Sequence, residues 1–316
     1  VTATFTNPIM SPGADPWVLR HDDGFYYFMV TQRDRLTLWR SRSLAGIADG
    51  EQRIIWQPEQ PGPYSFNLWA PEIHRLNGRW YVYYTANDGG GDDTRRVCVL
   101  ENEADNPLEG EWIWRGPLAT ERPGLDGSVL EHGGSLYFCY AGYGHFPDYG
   151  SALYLVRMTD PCTLAGPEAL LTAPMLEWEK QGGMAINEGP VFLKRGGRVF
   201  LVYSASTTWS EDYALGLLTM AEASDPMTPG AWTKTQEPVF RKSAAAGVYA
   251  TGHNSLTVSP DGAEDWIVYH ALPEAGADTK LRSTFIQPFG WREDGTPDFG
   301  TPAGWGAALA LPAGTE

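Results

Sequence analysis

Three carboxylic acids stand in short, similar contexts: Asp15 in GADPW, Asp126 in LDGSV and Glu188 in NEGPV. Each is entered through small or polar residues and leads into an apolar, strand-like run. Taken alone, Asp15 is an ordinary turn residue between Gly-Ala and a proline. Taken together, the three acids have a chemical use. Two carboxyl groups flanking a glycosidic bond can hydrolyse it, one protonated to donate to the leaving oxygen, the other ionised to activate water or attack directly. A third can tune the pKa of the donor and hold its orientation. Glu188, with its longer reach and the small residues of MAINEGP, suits the donor, Asp15 the base and Asp126 the tuning role. Chemistry alone leaves these roles open to permutation.

The acids recur because the segments that carry them recur. Five stretches share one layout: ADPWVLRHDDGFYYFMVTQ, WAPEIHRLNGRWYVYYTAN, LDGSVLEHGGSLYFCYAG, NEGPVFLKRGGRVFLVYSAS and TGHNSLTVSPDGAEDWIVYHAL. Each has a short apolar strand, a turn containing glycine and an aromatic strand. The turns are Asp23-Gly24, Asn77-Gly78, Gly133-Gly134, Gly196-Gly197 and Asp261-Gly262, dipeptides that signal hairpins. Another strand-like stretch follows each hairpin, and long helical periodicity is absent. A four-stranded unit repeated five times predicts an all-β fold, a five-bladed β-propeller, rather than an irregular sandwich. One catalytic domain is expected over residues 1–316, with blades beginning near 15, 70, 126, 188 and 253.

Counting back eight or nine residues from the second turn residue reaches Asp15, Ala70, Asp126, Glu188 and His253. The first strand of a blade lines the central channel, so these positions converge at one mouth. A repeat kept for structure alone would favour one residue type there. Three acids in one pocket raise one another's pKa, and costly arrangements of that kind mark function more often than structure.

Composition narrows the partners. With 23 Lys and Arg against 39 Asp and Glu, the formal charge is −16, which disfavours nucleic acid and anionic membrane surfaces. No apolar run is long enough to span a bilayer. Three cysteines without CxxC spacing argue against a disulfide framework or a zinc site. The 13 Trp, 15 Tyr and 12 Phe suit both packed strands and sugar binding, so they do not decide between them. The N-terminus, VTATFTNPIM, lacks the charged and apolar regions of a signal peptide. A cytoplasmic location is therefore expected, unless a leader has been removed from a secreted mature form.

The five segments in order resemble the successive blade signatures of glycoside hydrolase family 43, from about Asn7 to Pro302. The resemblance implies a five-bladed propeller and an inverting mechanism. Asp15 would be general base, Asp126 pKa modulator and Glu188 general acid, with no cofactor required for the chemistry. It further implies that His253, in TGHNS, stands near the channel axis and faces a calcium or sodium ion, usually through water. Trp69, in FNLWAPE, would form the pocket wall with Phe66 and Asn67 beside it, and Arg282, in KLRSTFIQPFGW, would reach sugar hydroxyls. NDGGGDDTRR, GYGHFPDYG and STTWSEDYALG read as rim loops, and Tyr143, His145, Phe146 and Trp209 on them would shape outer sugar sites.

The chain ends shortly after the fifth blade, leaving no room for the extra β-sandwich of many β-xylosidases in that family. With NLWAPE, YALG and DGTPDFGTP, this favours the exo-acting arabinofuranosidases. The expected activity is release of L-arabinofuranose from α-1,5-linked arabino-oligosaccharides or arabinan. The alternatives are a β-xylosidase or endo-arabinanase of the same family, a non-catalytic sugar-binding propeller, or a protein-interaction propeller.

Overall fold

The two-residue turns fold the chain back where the dipeptides stand. Asn77-Gly78, Gly133-Gly134 and Gly196-Gly197 have positive φ at both residues, the geometry that follows the twist of a two-residue hairpin. The first and last blades make longer loops, pairing Arg20 with Tyr26 and Val258 with Asp265. A computed structural model describes residues 3–144 and 150–315 of the chain.

Five four-stranded antiparallel sheets result, each with its strands in sequence order. Their innermost strands are Trp17–Arg20, Phe66–Leu76, Gly124–His132, Asn187–Arg195 and Tyr249–Val258. The second strands are Tyr26–Met29, Arg79–Asn87, Ser135–Tyr143, Arg198–Ala205 and Asp265–Leu272. Inner strands contact one another in the cyclic order one to five and back to one, so the sheets are the blades of a propeller. The predicted fold is the observed one.

The core is divided among the gaps between blades. Side chains alternate faces along a strand, so each blade feeds two clusters. Tyr27 and Met29 pack with Ile73, Trp80 and Val82 of blade two. Tyr26 and Phe28, on the opposite face, pack with Trp266 and Val268 of blade five. Equivalent clusters fill the other three gaps. The aromatic strands of the sequence are therefore mainly filling between blades.

The ring closes through both ends of the chain. Thr4–Thr6 pairs with Ala308–Ala310. Ile9 and Met10 bond the backbone of Thr284, and the Asn7 amide spans the N–H and C=O of Ile286. The N-terminal segment thus runs along the third strand of blade five and delivers Asp15 to the channel mouth.

Candidate active site

Each inner strand enters the blade through the same distortion. Asp15, Ala70, Asp126, Gly189 and His253 have φ of 54, 43, 54, 54 and 47°, in the left-handed region. In blades two to four the ladder skips two residues there, between Trp69 and Glu72, Leu125 and Ser128, and Glu188 and Val191. In blade five it skips between Gly252 and Ser255. A bulge of this kind re-aims side chains at a strand end. Asp and His tolerate positive φ better than most residues, and glycine meets no steric cost.

This corrects the register read from the turns. Asp15, Ala70, Asp126 and His253 are equivalent, but their counterpart in blade four is Gly189. Glu188 lies one residue earlier, at the position held by Trp69 in blade two and Leu125 in blade three. The count failed because it stepped nine residues back in blade four, where the structure needs eight.

The bulge leaves an N–H that the ladder does not use, and the preceding blade accepts it. Thr31 accepts from Ala70 at 2.8 Å, Thr85 from Asp126 at 3.0 Å, and Ser204 from His253 at 2.8 Å. His270 Nδ1 accepts from Asp15 at 3.2 Å, closing the circle. Blade three has Ala141 at this place, paired with Leu125, and it offers no acceptor. There the Asp126 carboxylate takes over, accepting from Gly189 N–H at 3.1 Å. Asp126 thereby holds the backbone that carries Glu188.

The three acids line one pocket of about 330 Å³ with Arg282, His253, Trp69 and Tyr143. Asp15 is buried; its Oδ1 meets Arg282 Nη1 at 2.8 Å, and its Oδ2 accepts from Thr31 at 2.7 Å. Burial alone would raise its pKa, but Arg282, then His253 and His270, hold it well below the usual carboxylate range. Asp126 is pushed well above that range by burial and by the charges of Glu188 and Asp15. Glu188 is raised to about 7, chiefly by burial and secondarily by Asp15, against a hydrogen bond from Tyr213 and the charge of Arg282. Part of its surface stays open to the pocket. One acid ionised and another protonated near neutrality is the division that glycoside hydrolysis requires.

His253 is buried, with Nδ1 3.4 Å from Asp15 Oδ1 and 3.9 Å from Asp126 Oδ2. Burial sets its pKa below that of a free histidine, with Arg282 adding to the shift and the Asp15 charge working against it. No group of three or more His, Cys, Asp or Glu side chains among the described residues could hold a metal ion. A hard cation beside His253 would have to be held mainly by water and backbone oxygens.

Trp69 stands on the pocket wall with the Arg95 guanidinium 3.9 Å from its ring centroid. Arg95 is buried and gripped by Asp92 through Nε at 3.1 Å and Nη2 at 2.7 Å. This acidic-basic loop, a rim loop by its sequence, thus also supports the wall. Trp209 lines the outer pocket, more than half exposed. Phe66 and Asn67 are outside the lining: the Asn67 amide turns to Asn87 at 3.1 Å, and the Phe66 ring packs over Gly89. His145 and Phe146 lie outside the described residues. Two buried residues that sequence reasoning overlooked, Tyr213 and His270, touch the acid and the base.

Comparison with known proteins points to one family. A family model described as Glycosyl hydrolases family 43 matches residues 5–297. An extracellular exo-alpha-(1->5)-L-arabinofuranosidase of Streptomyces avermitilis is 38% identical over 310 residues, 95% of this chain and 64% of the relative. The chain thus spans less than two thirds of that protein. A protein of the same name from Streptomyces chartreusis is 40% identical, over 85% of this chain and 83% of its own. The crystal structure of an alpha-L-arabinofuranosidase from Lactobacillus brevis superposes with a TM-score of 0.91 at 34% identity, covering 96% of this chain and 98% of its own. Both Streptomyces relatives are named extracellular, which overturns the cytoplasmic location expected from the N-terminal residues.

Proposed function

This chain belongs to glycosyl hydrolases family 43, and from that premise we propose that it is an inverting exo-α-1,5-L-arabinofuranosidase. It would release single L-arabinofuranose units from the non-reducing ends of arabino-oligosaccharides or arabinan. The observation that carries this reading is the division of protonation within one pocket: Asp15 ionised beside Arg282, Glu188 protonated near neutrality.

Asp15 takes a proton from a water molecule whose oxygen attacks the anomeric carbon. Glu188 gives its proton to the glycosidic oxygen as the bond to that carbon breaks. The sugar leaves with inverted configuration, Asp15 ends protonated and Glu188 ionised, and exchange with solvent restores both. Inversion needs room for water between the two carboxyls, about 6.5–9.5 Å. Asp126 orients Glu188 by accepting from the Gly189 N–H next to it, while burial and Asp15 raise Glu188. Arg282 uses Nη1 and Nε on protein partners, leaving Nη2 for a sugar hydroxyl. Trp69 offers an apolar wall against the furanose ring. The names of the two Streptomyces relatives and of the Lactobacillus structure support arabinofuranose as the sugar.

Product analysis on linear α-1,5-arabino-oligosaccharides beside xylo-oligosaccharides tests the reading. Arabinose as the sole early product, with no xylose, is expected. Release of xylose alone, or of arabinobiose before arabinose, would overturn it.

A further inference from the structure

Tyr213 and His270 are both fully buried, and neither faces the pocket surface. Tyr213 ends the loop between the second and third strands of blade four, and His270 sits on the second strand of blade five. Their rings stack with centroids 5.5 Å apart and planes 8° apart. The Tyr213 hydroxyl donates to Glu188 Oε1 at 2.7 Å. At the other side of the stack, His270 Nδ1 accepts the Asp15 N–H at 3.2 Å. Towards the Asp15 N–H, Nδ1 can only accept, the role of a neutral ring, and the same nitrogen stands 3.3 Å from Asp15 Oδ1. Burial agrees, pushing the imidazole down to about 4. Burial likewise keeps the Tyr213 phenol protonated, raising it well above its ordinary value.

The stack is held on its remaining sides. Gly252 lies against Tyr213 so closely that a Cβ there would stand 2.4 Å from the ring, so only glycine fits. Ala250 and Leu272 pack around it. Among the described residues, Asp126, Arg282, His253, Tyr143 and Thr31 also face Glu188 or Asp15, and none of them touches both carboxyl-bearing residues through one rigid contact as the stack does.

We propose that Tyr213 and His270 form a rigid aromatic spacer between the two ends of the reaction, Tyr213 fixing the Glu188 carboxyl and His270 fixing the backbone of Asp15. Neither is a catalytic residue; both are positioning residues. Tyr213 occupies Oε1, which leaves Oε2 to carry the proton to the glycosidic oxygen. His270 takes the N–H freed by the Asp15 bulge, which sets the direction of the base. The two halves of the spacer therefore govern different halves of the chemistry.

The proposal rests on Glu188 being the proton donor, and the test separates the two. Aryl α-L-arabinofuranosides with a poor leaving group (phenol) need acid assistance, whereas a dinitrophenyl leaving group does not. Glu188→Ala is measured first; equal slowing on both substrates would sink the donor assignment itself. With that assignment standing, Tyr213→Phe should lower kcat on the phenyl substrate by about 10–100-fold, with KM and dinitrophenyl turnover within about threefold of the parent. His270→Phe keeps a flat ring under Tyr213 but removes the acceptor, and should slow both substrates by the same factor. Equal slowing of both substrates by Tyr213→Phe, unchanged kcat in that variant, or leaving-group selectivity in His270→Phe would each overturn the spacer. Thermal unfolding of both variants, expected within a few degrees of the parent, separates these outcomes from loss of the fold.

Discussion

Two buried carboxyl clusters lie nine residues apart along the chain, and they are built on opposite principles. Glu179, fully buried, meets Lys234 Nζ at 2.6 Å. It also accepts from Asn187 and Tyr203 at 2.9 Å each and from the Leu176 N–H at 2.9 Å. Every demand of that charge is met locally. Asp126 and Glu188 crowd each other instead; among the described residues no lysine or arginine bonds either, and Arg282, a close cation, is committed to Asp15. The first cluster spans blades three and four and, through Asn187, fixes the residue before Glu188. The second keeps protons on its acids. Compensation gives stability and its absence gives chemistry, and the compensated cluster holds the uncompensated one in place.

The largest expected effect breaks the second cluster. Glu188→Ala should cut turnover of arabino-oligosaccharides by about 10²–10⁴-fold with no loss of thermal stability at pH 8, read by steady-state rates and unfolding scans. Glu179→Ala should reverse the pattern, costing about 3–5 kcal/mol in denaturant unfolding because it takes the carboxylate from Lys234 and the acceptor from Asn187 and Tyr203, while folded enzyme keeps most of its kcat.

Asp126→Asn sharpens the contrast through pH. The folded-state pKa of Asp126 lies above its unfolded value, so the native acid must stay protonated or pay for an unwelcome charge. Its stabilising contribution is complete below the unfolded pKa and is lost as pH rises towards the folded one. The asparagine variant should therefore melt higher than the parent at pH 8, with little difference at pH 4, while its activity drops.

The activity profile should be a bell whose alkaline limb falls near pH 7, from Glu188, and whose acid limb lies low, from Asp15. Arg282→Gln removes the strongest charge holding Asp15 ionised and should move the acid limb upward by about one pH unit or more. An acid limb that stayed in place would detach Asp15 from the base role. The smallest effect concerns the wall: Arg95→Met should raise KM for arabinotriose roughly fivefold, about 1 kcal/mol, without altering kcat.

The hairpins were readable because Xaa-Gly turns and aromatic strands are local signals, and five of them in order define a ring. Asp15 and Asp126 were readable for the same reason. Glu188 was found with the wrong equivalence, since the feature that fixes register is the positive φ of Gly189, visible in the sequence only as the glycine of EGP. His270, 255 residues from Asp15, and Tyr213, 25 residues from Glu188, gave no local sign. Their roles come from the closure of the ring and from a loop that re-enters the channel. The reach of Arg282 towards sugar hydroxyls is an expectation from the sequence; its bond to Asp15, 267 residues away, had no local sign. Thr85, Ser204 and His270 share one place on the second strands, and Thr31, just past the end of its own, does the same work; Ala141 stands at that place in blade three, where an acid takes over.

The central claim is that Asp15 directs water to one face of the sugar while Glu188 protonates the oxygen on the other. Proton NMR of the anomer first released from α-1,5-arabinotriose, recorded before mutarotation, tests it most directly. The account predicts β-L-arabinofuranose as the initial product; α-L-arabinofuranose appearing first would contradict it.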